Sequence, residues 1–75
     1  MCARKVQTKL DTRAIGLRIR QLRGNATQIE FAAHLGISQG QLSKIESGAL
    51  VPSLEVLVGV AVLYRKSIDW IVVGG

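Results

Sequence analysis

Ile15, Ile19 and Leu22 fall at i, i+4 and i+7, so they predict a first helix with one apolar face, capped by Asp11 or Thr12 and stopped by Gly24-Asn25. Arg13, Arg18, Arg20 and Arg23 occupy its other directions. A second helix is expected from about Gln28 to Leu35, with Phe31, Ala32 and Leu35 turned inward and Glu30, Ala33 and His34 turned away. A third, from about Gln39 to Ser47, has only Leu42 and Ile45 as its core stripe, which leaves Gln39, Gly40, Ser43 and Lys44 facing outward. After a loop from Ala49 to Pro52, Ser53 and Glu55 start a fourth helix that extends to about Tyr64. A short fifth helix runs from Ile68 to about Val73. The fourth is apolar around nearly its whole circumference, from Leu54 to Leu63, and is expected to be buried on more than one side. The Val and Ile runs of the last two helices also suit strands, but hairpin turn chemistry is lacking. The pattern therefore predicts an all-α, five-helix domain.

The starts of the second and third helices carry the same signal. Thr27-x-x-Glu30 and Ser38-x-x-Gln41 both read as capping boxes, in which a hydroxyl takes an orphan backbone N–H and the acidic or amide side chain reaches back. Gly36 between them supplies the positive φ of a helix stop. Two short helices joined by a tight turn form a helix-turn-helix, whose second helix enters the DNA major groove. The outward face of the third helix is thus the candidate functional surface.

Composition agrees with one small domain. A chain of 75 residues buries only about 60% of the surface its unfolded form exposes. With 48% hydrophobic residues but one Trp, one Tyr and one Phe, its core must be aliphatic. Ten Lys or Arg against five Asp or Glu give a net charge of +5, which favours a polyanionic partner. Lone Cys2 offers neither a disulfide nor metal spacing, so a reducing cytoplasm is the expected compartment, with no metal and no cofactor. No apolar signal core or membrane span is visible. One His, one Cys, no paired carboxylates and no Gly-rich phosphate loop leave no constellation for an enzyme. Residues 1–11 read as a flexible basic arm, with Arg4, Lys5 and Lys9 in a disordered tail or, as the second reading, reaching the DNA backbone or minor groove, and residues 12–75 as the folded domain.

From Ile15 to Val73 the chain resembles the Xre-like helix-turn-helix family of phage repressor and Cro proteins. The resemblance lies in IGLRIRQLR (15–23), TQIEFAAHLGISQGQLSKIESG (27–48), PSLEVL (52–57) and SIDWIV (67–72). It implies a five-helix, lambda-repressor-like DNA-binding domain that acts as a homodimer on double-stranded DNA. Position by position, Gln28 matches the glutamine that meets a phosphate at a helix start. Gln39 matches a base-reading position able to bond an adenine edge, and Ser38, Gly40, Gln41, Ser43 and Lys44 complete the groove-facing set. Gln28 and Gln39 are also able to bond each other. Arg23 and Glu46 match an ion pair tying the first helix to the third, and Arg18 and Arg20 are candidate phosphate contacts.

Three departures from the family pattern stand out. The join between Arg23 and Gln28 is short, so it should be tight. Ala49-Leu50-Val51 replaces the usual basic residue before the proline, which leaves only backbone N–H groups for phosphate there. Val56, Gly59, Val62 and Leu63 replace positions that are usually polar, and Arg65-Lys66 replaces the usual Gly-Val. That apolar surplus needs a partner. Val62, Leu63, Trp70, Ile71 and Val72 are therefore the candidate dimer interface of a repressor on a two-fold operator. The competing expectation is a protein-interaction module, such as an antitoxin, that binds another protein through the last two helices.

Overall fold

The computed structural model describes residues 10–74. Its five helices are α1 (Thr12–Arg23), α2 (Gln28–Leu35), α3 (Gln39–Ser47), α4 (Leu54–Tyr64) and α5 (Ile68–Val73). Each begins at a side chain that accepts the backbone N–H three residues on. Asp11 takes Ala14, Thr27 takes Glu30, Ser38 takes Gln41, Ser53 takes Val56 and Ser67 takes Trp70. Each such cap contributes about 1 kcal/mol, which matters in a domain this small. Only α3 has the full reciprocal box, and at α2 the hydroxyl of Thr27 acts alone. Arg4, Lys5, Lys9 and Cys2 lie outside the described residues.

The core is assembled from one or two residues per helix: Ile15 and Ile19, Phe31 and Ala32, Leu42 and Ile45, Val56 and Val60, and Ile71. Phe31 packs on Tyr64 at a ring-centroid separation of 5.7 Å, joining α2 to α4. Gly16 lets α1 cross α3 closely, because a Cβ there would press on the carbonyl oxygen of Ile45 and lie 2.6 Å from that of Glu46. At the other end of the crossing, Thr12 Oγ1 donates to the carbonyl of Gly48 at 3.0 Å. The join of α1 and α2 is tight. Ala26 N–H donates to the Arg23 carbonyl at 3.2 Å, and Arg23 Nη1 returns a 2.7 Å bond to the Ala26 carbonyl.

Two expectations about the apolar surplus need correcting. α4 buries only Val56 and Val60, while Leu54, Val58, Val62 and Leu63 are exposed, so in the single chain it is covered on one side and not on several. The other four short helices are too few to wrap a fully apolar one. Ile71, expected at an interface, is 0% exposed and belongs to the core. Val62 is 73% exposed, and Trp70 and Val72 are half-buried.

Candidate nucleic-acid interface

α3 presents Gln39, Gly40, Gln41, Ser43 and Lys44 to solvent, since Leu42 and Ile45 take its inward stripe. Its first turn is fixed by its own box: Ser38 Oγ accepts from Gln41 N at 3.1 Å, and Gln41 Oε1 accepts from Ser38 N at 3.1 Å. Ser38 and the Gln41 oxygen are therefore committed to the helix start. The Gln41 amide nitrogen remains for a ligand.

Four residues from three helices meet beside that turn. Arg23 forks onto Glu46, with Nε donating to Oε2 at 2.7 Å and Nη2 to Oε1 at 2.9 Å. Glu46 is only 8% exposed, and a carboxylate buried to that degree needs its partner. The hydrogen bond to Glu46 holds the Arg23 guanidinium above its ordinary pKa, against the opposing effect of burial. Gln28 Nε2 donates to Glu46 Oε1 at 2.9 Å, and Gln39 Nε2 donates to Gln28 Oε1 at 2.7 Å. The result is a chain of hydrogen bonds from α1, through the end of α3 and the start of α2, to the first residue of α3. Gln28 and Gln39 do bond each other, as their spacing allowed.

The other basic candidates divide. Arg20 and Arg13 are exposed on α1. Arg18 is not a free phosphate ligand, because its Nη1 donates to the carbonyls of Ile71 and Val72, both at 3.1 Å. It caps the C-terminus of α5, where the helix dipole favours a cation. In the loop after α3, Ala49 and Leu50 donate their N–H groups to the Lys44 carbonyl at 2.9 and 3.2 Å. Two of the backbone N–H groups left for phosphate in that loop are thus spent on closing the helix. Gly16 was not singled out in the sequence, where a glycine inside a helical pattern signals only weak propensity.

Among the described residues no helix is long and apolar enough to cross a membrane. Among solved structures, the P22 c2 repressor in complex with a synthetic operator is similar at 26% identity and a TM-score of 0.76, over 85% of this chain and 100% of that one. The clp gene regulator ClgR from C. glutamicum is similar at 29% identity and a TM-score of 0.70, over 85% of this chain and 86% of that one. The restriction-modification controller protein C.AhdI from Aeromonas hydrophila shares the fold, at 22% identity and a TM-score of 0.70, over 81% of this chain and 91% of that one. Among curated proteins none matches. A helix-turn-helix family model matches residues 18–71, most of the chain and all of the α2–α3 surface, so the chain belongs to the Xre-like helix-turn-helix family of DNA-binding transcription regulators.

Proposed function

We propose that the protein is a repressor that binds a two-fold operator as a homodimer, with α3 in the major groove and Gln39 reading a base. The observation that supports this reading most directly is Gln39 itself, exposed at the start of α3 and held by Gln28. Gln28 retains a second amide proton, and the first two backbone N–H groups of α2 lie outside the intrahelical ladder, a suitable setting for a phosphate. Lys44 and Arg20 add charge-based contacts from α3 and α1. Ser43, at i+4, continues the face of Gln39 one turn along α3, and Gln41 completes the groove-facing set. The similarity to an operator-bound repressor fits this arrangement.

Dimerisation would use the exposed apolar residues of α4 and α5. Leu54, Val58 and Val62 fall at i, i+4 and i+8 on one stripe of α4, with Leu63 and the half-buried Trp70 and Val72 as neighbours in the same two-helix unit. Two copies would then place their half-sites about 34–36 Å apart. Because the same stripe also suits a different chain, sedimentation of the purified protein decides between the readings. A stable dimer that Val62→Asp dissolves supports self-association, and a monomer that needs a second protein supports the interaction-module reading.

The groove assignment is tested by selecting bound sequences from a randomised duplex pool. The expected consensus is palindromic, and Gln39→Ala should erase the preference at one base pair per half-site, losing about 1–3 kcal/mol of discrimination there. An unchanged preference in Gln39→Ala would overturn the assignment.

A further inference from the structure

We infer that Glu46 is a positioning residue for base selection: acting through Gln28, it fixes which end of the Gln39 amide faces the DNA, and so selects adenine over guanine. The inference rests on the groove assignment above, but it concerns a different residue and a different property. A glutamine amide presents an oxygen on one side and an NH2 on the other, and rotation by a half turn exchanges an acceptor for two donors. A free Gln39 would therefore be ambiguous.

The chemistry of the chain removes that ambiguity in three steps. A carboxylate paired with a guanidinium only accepts hydrogen bonds, and both Glu46 oxygens accept from Arg23. The Gln28 atom 2.9 Å from Glu46 Oε1 must therefore be the nitrogen. The Gln28 oxygen is then turned to Gln39, so the Gln39 atom 2.7 Å from it must also be the nitrogen. Gln39 is left with its Oε1 and one Nε2 proton for the groove. Among base edges, adenine alone offers a donor, N6–H, beside an acceptor, N7. Guanine would set its O6 acceptor against the Gln39 oxygen. With the amide reversed, the two protons of the NH2 would instead suit guanine O6 and N7.

An amide at position 46 keeps the shape of the carboxylate but has an oxygen on one side only. Both polarities of Gln28, and hence of Gln39, then become available. Gln28→Ala cuts the same chain without disturbing the Arg23–Glu46 pair, which guards against a folding defect in Glu46→Gln.

The test uses two duplexes, taken from the selected consensus, that differ only by adenine or guanine at the position whose preference Gln39→Ala erases. The parent protein should favour adenine by at least about fivefold. In Glu46→Gln and in Gln28→Ala that ratio should fall towards one, whatever happens to the affinity common to both duplexes. A residue that merely stabilised the fold would weaken both complexes alike and leave the ratio intact. If the ratio persists in Gln28→Ala, or in a folded Glu46→Gln, while Gln39→Ala abolishes it, the positioning role is overturned and the groove assignment stands. If Gln39→Ala leaves every base preference unchanged, the groove assignment fails first.

Discussion

Replacing Gly16 by alanine should destabilise the protein, although it improves helix propensity. Gly→Ala inside a helix gains about 1 kcal/mol of intrinsic stability. The new Cβ, however, would press on the Ile45 carbonyl oxygen and lie 2.6 Å from that of Glu46, and neither backbone atom can swing aside as a side-chain terminus could. Separating α1 from α3 loosens a well-packed core, at a cost of about 3 kcal/mol at the upper end of ordinary overpacking. The net loss is about 2 kcal/mol, or roughly 8–16 °C in Tm for a domain of this size. Gly40 provides the control, because a Cβ there meets nothing nearer than Ser38 Oγ at 4.0 Å. Gly40→Ala should therefore show the propensity gain alone, raising Tm by roughly 4–8 °C. Thermal melts followed by circular dichroism measure both. If Gly16→Ala melts at or above the parent, the close α1–α3 crossing is wrong, and with it the explanation of how α1 positions α3.

Arg18→Ala should cost about 1.5–3 kcal/mol in urea unfolding, because it removes charge-assisted bonds to the Ile71 and Val72 carbonyls, and it should leave the salt dependence of DNA binding unchanged. Lys44→Ala should do the reverse, lowering the slope of log K against log salt by about 1 with little change in stability. Arg65 ends α4 in the left-handed region at φ 53°, a conformation that costs an L-residue about 1–2 kcal/mol, so Arg65→Gly should raise the melting temperature. A fall in Tm for that variant would show that the Arg65 side chain contributes more than its backbone costs.

What was legible in the sequence was local. The starts of α2, α3 and α4 were placed because a hydroxyl and the N–H three residues on are a self-contained unit, and Gly36 and Gly48 marked the stops for the same reason. The polar set on α3 followed from its narrow apolar stripe. The larger errors concern contacts between distant residues, whereas the half-formed box at α2 and the N–H groups of Ala49 and Leu50 are local misreadings. Arg18 looked like its neighbours because the carbonyls it caps lie 53 and 54 residues away. Ile71 and Val72 were grouped as one apolar surface because α5, at six residues, is too short for periodicity to separate a buried position from a half-buried one. On α4, hydropathy recorded the preference of every side chain for burial, but not how few neighbours the fold has to bury them.

The same distinction explains why the proposed base-reading surface depends on residues to which no base contact is assigned. Glu46 contributes twice to one region: its carbonyl oxygen lies against Gly16, and its side chain begins the hydrogen-bond chain that ends at Gln39. A displacement of α3 by a few tenths of an ångström would weaken the aliphatic contacts among Ile19, Leu42 and Ile45 only gradually, because they are not directional. It would weaken more sharply the bonds of 2.7–2.9 Å that run in series through Arg23, Glu46, Gln28 and Gln39, because hydrogen bonds weaken steeply once misaligned. Packing at the α1–α3 crossing and the polarity of the Gln39 amide are therefore linked through one residue. Gly16→Ala should narrow the adenine-to-guanine ratio even at temperatures where the variant remains folded, whereas Arg18→Ala, which loosens α5 instead, should lower stability without changing that ratio.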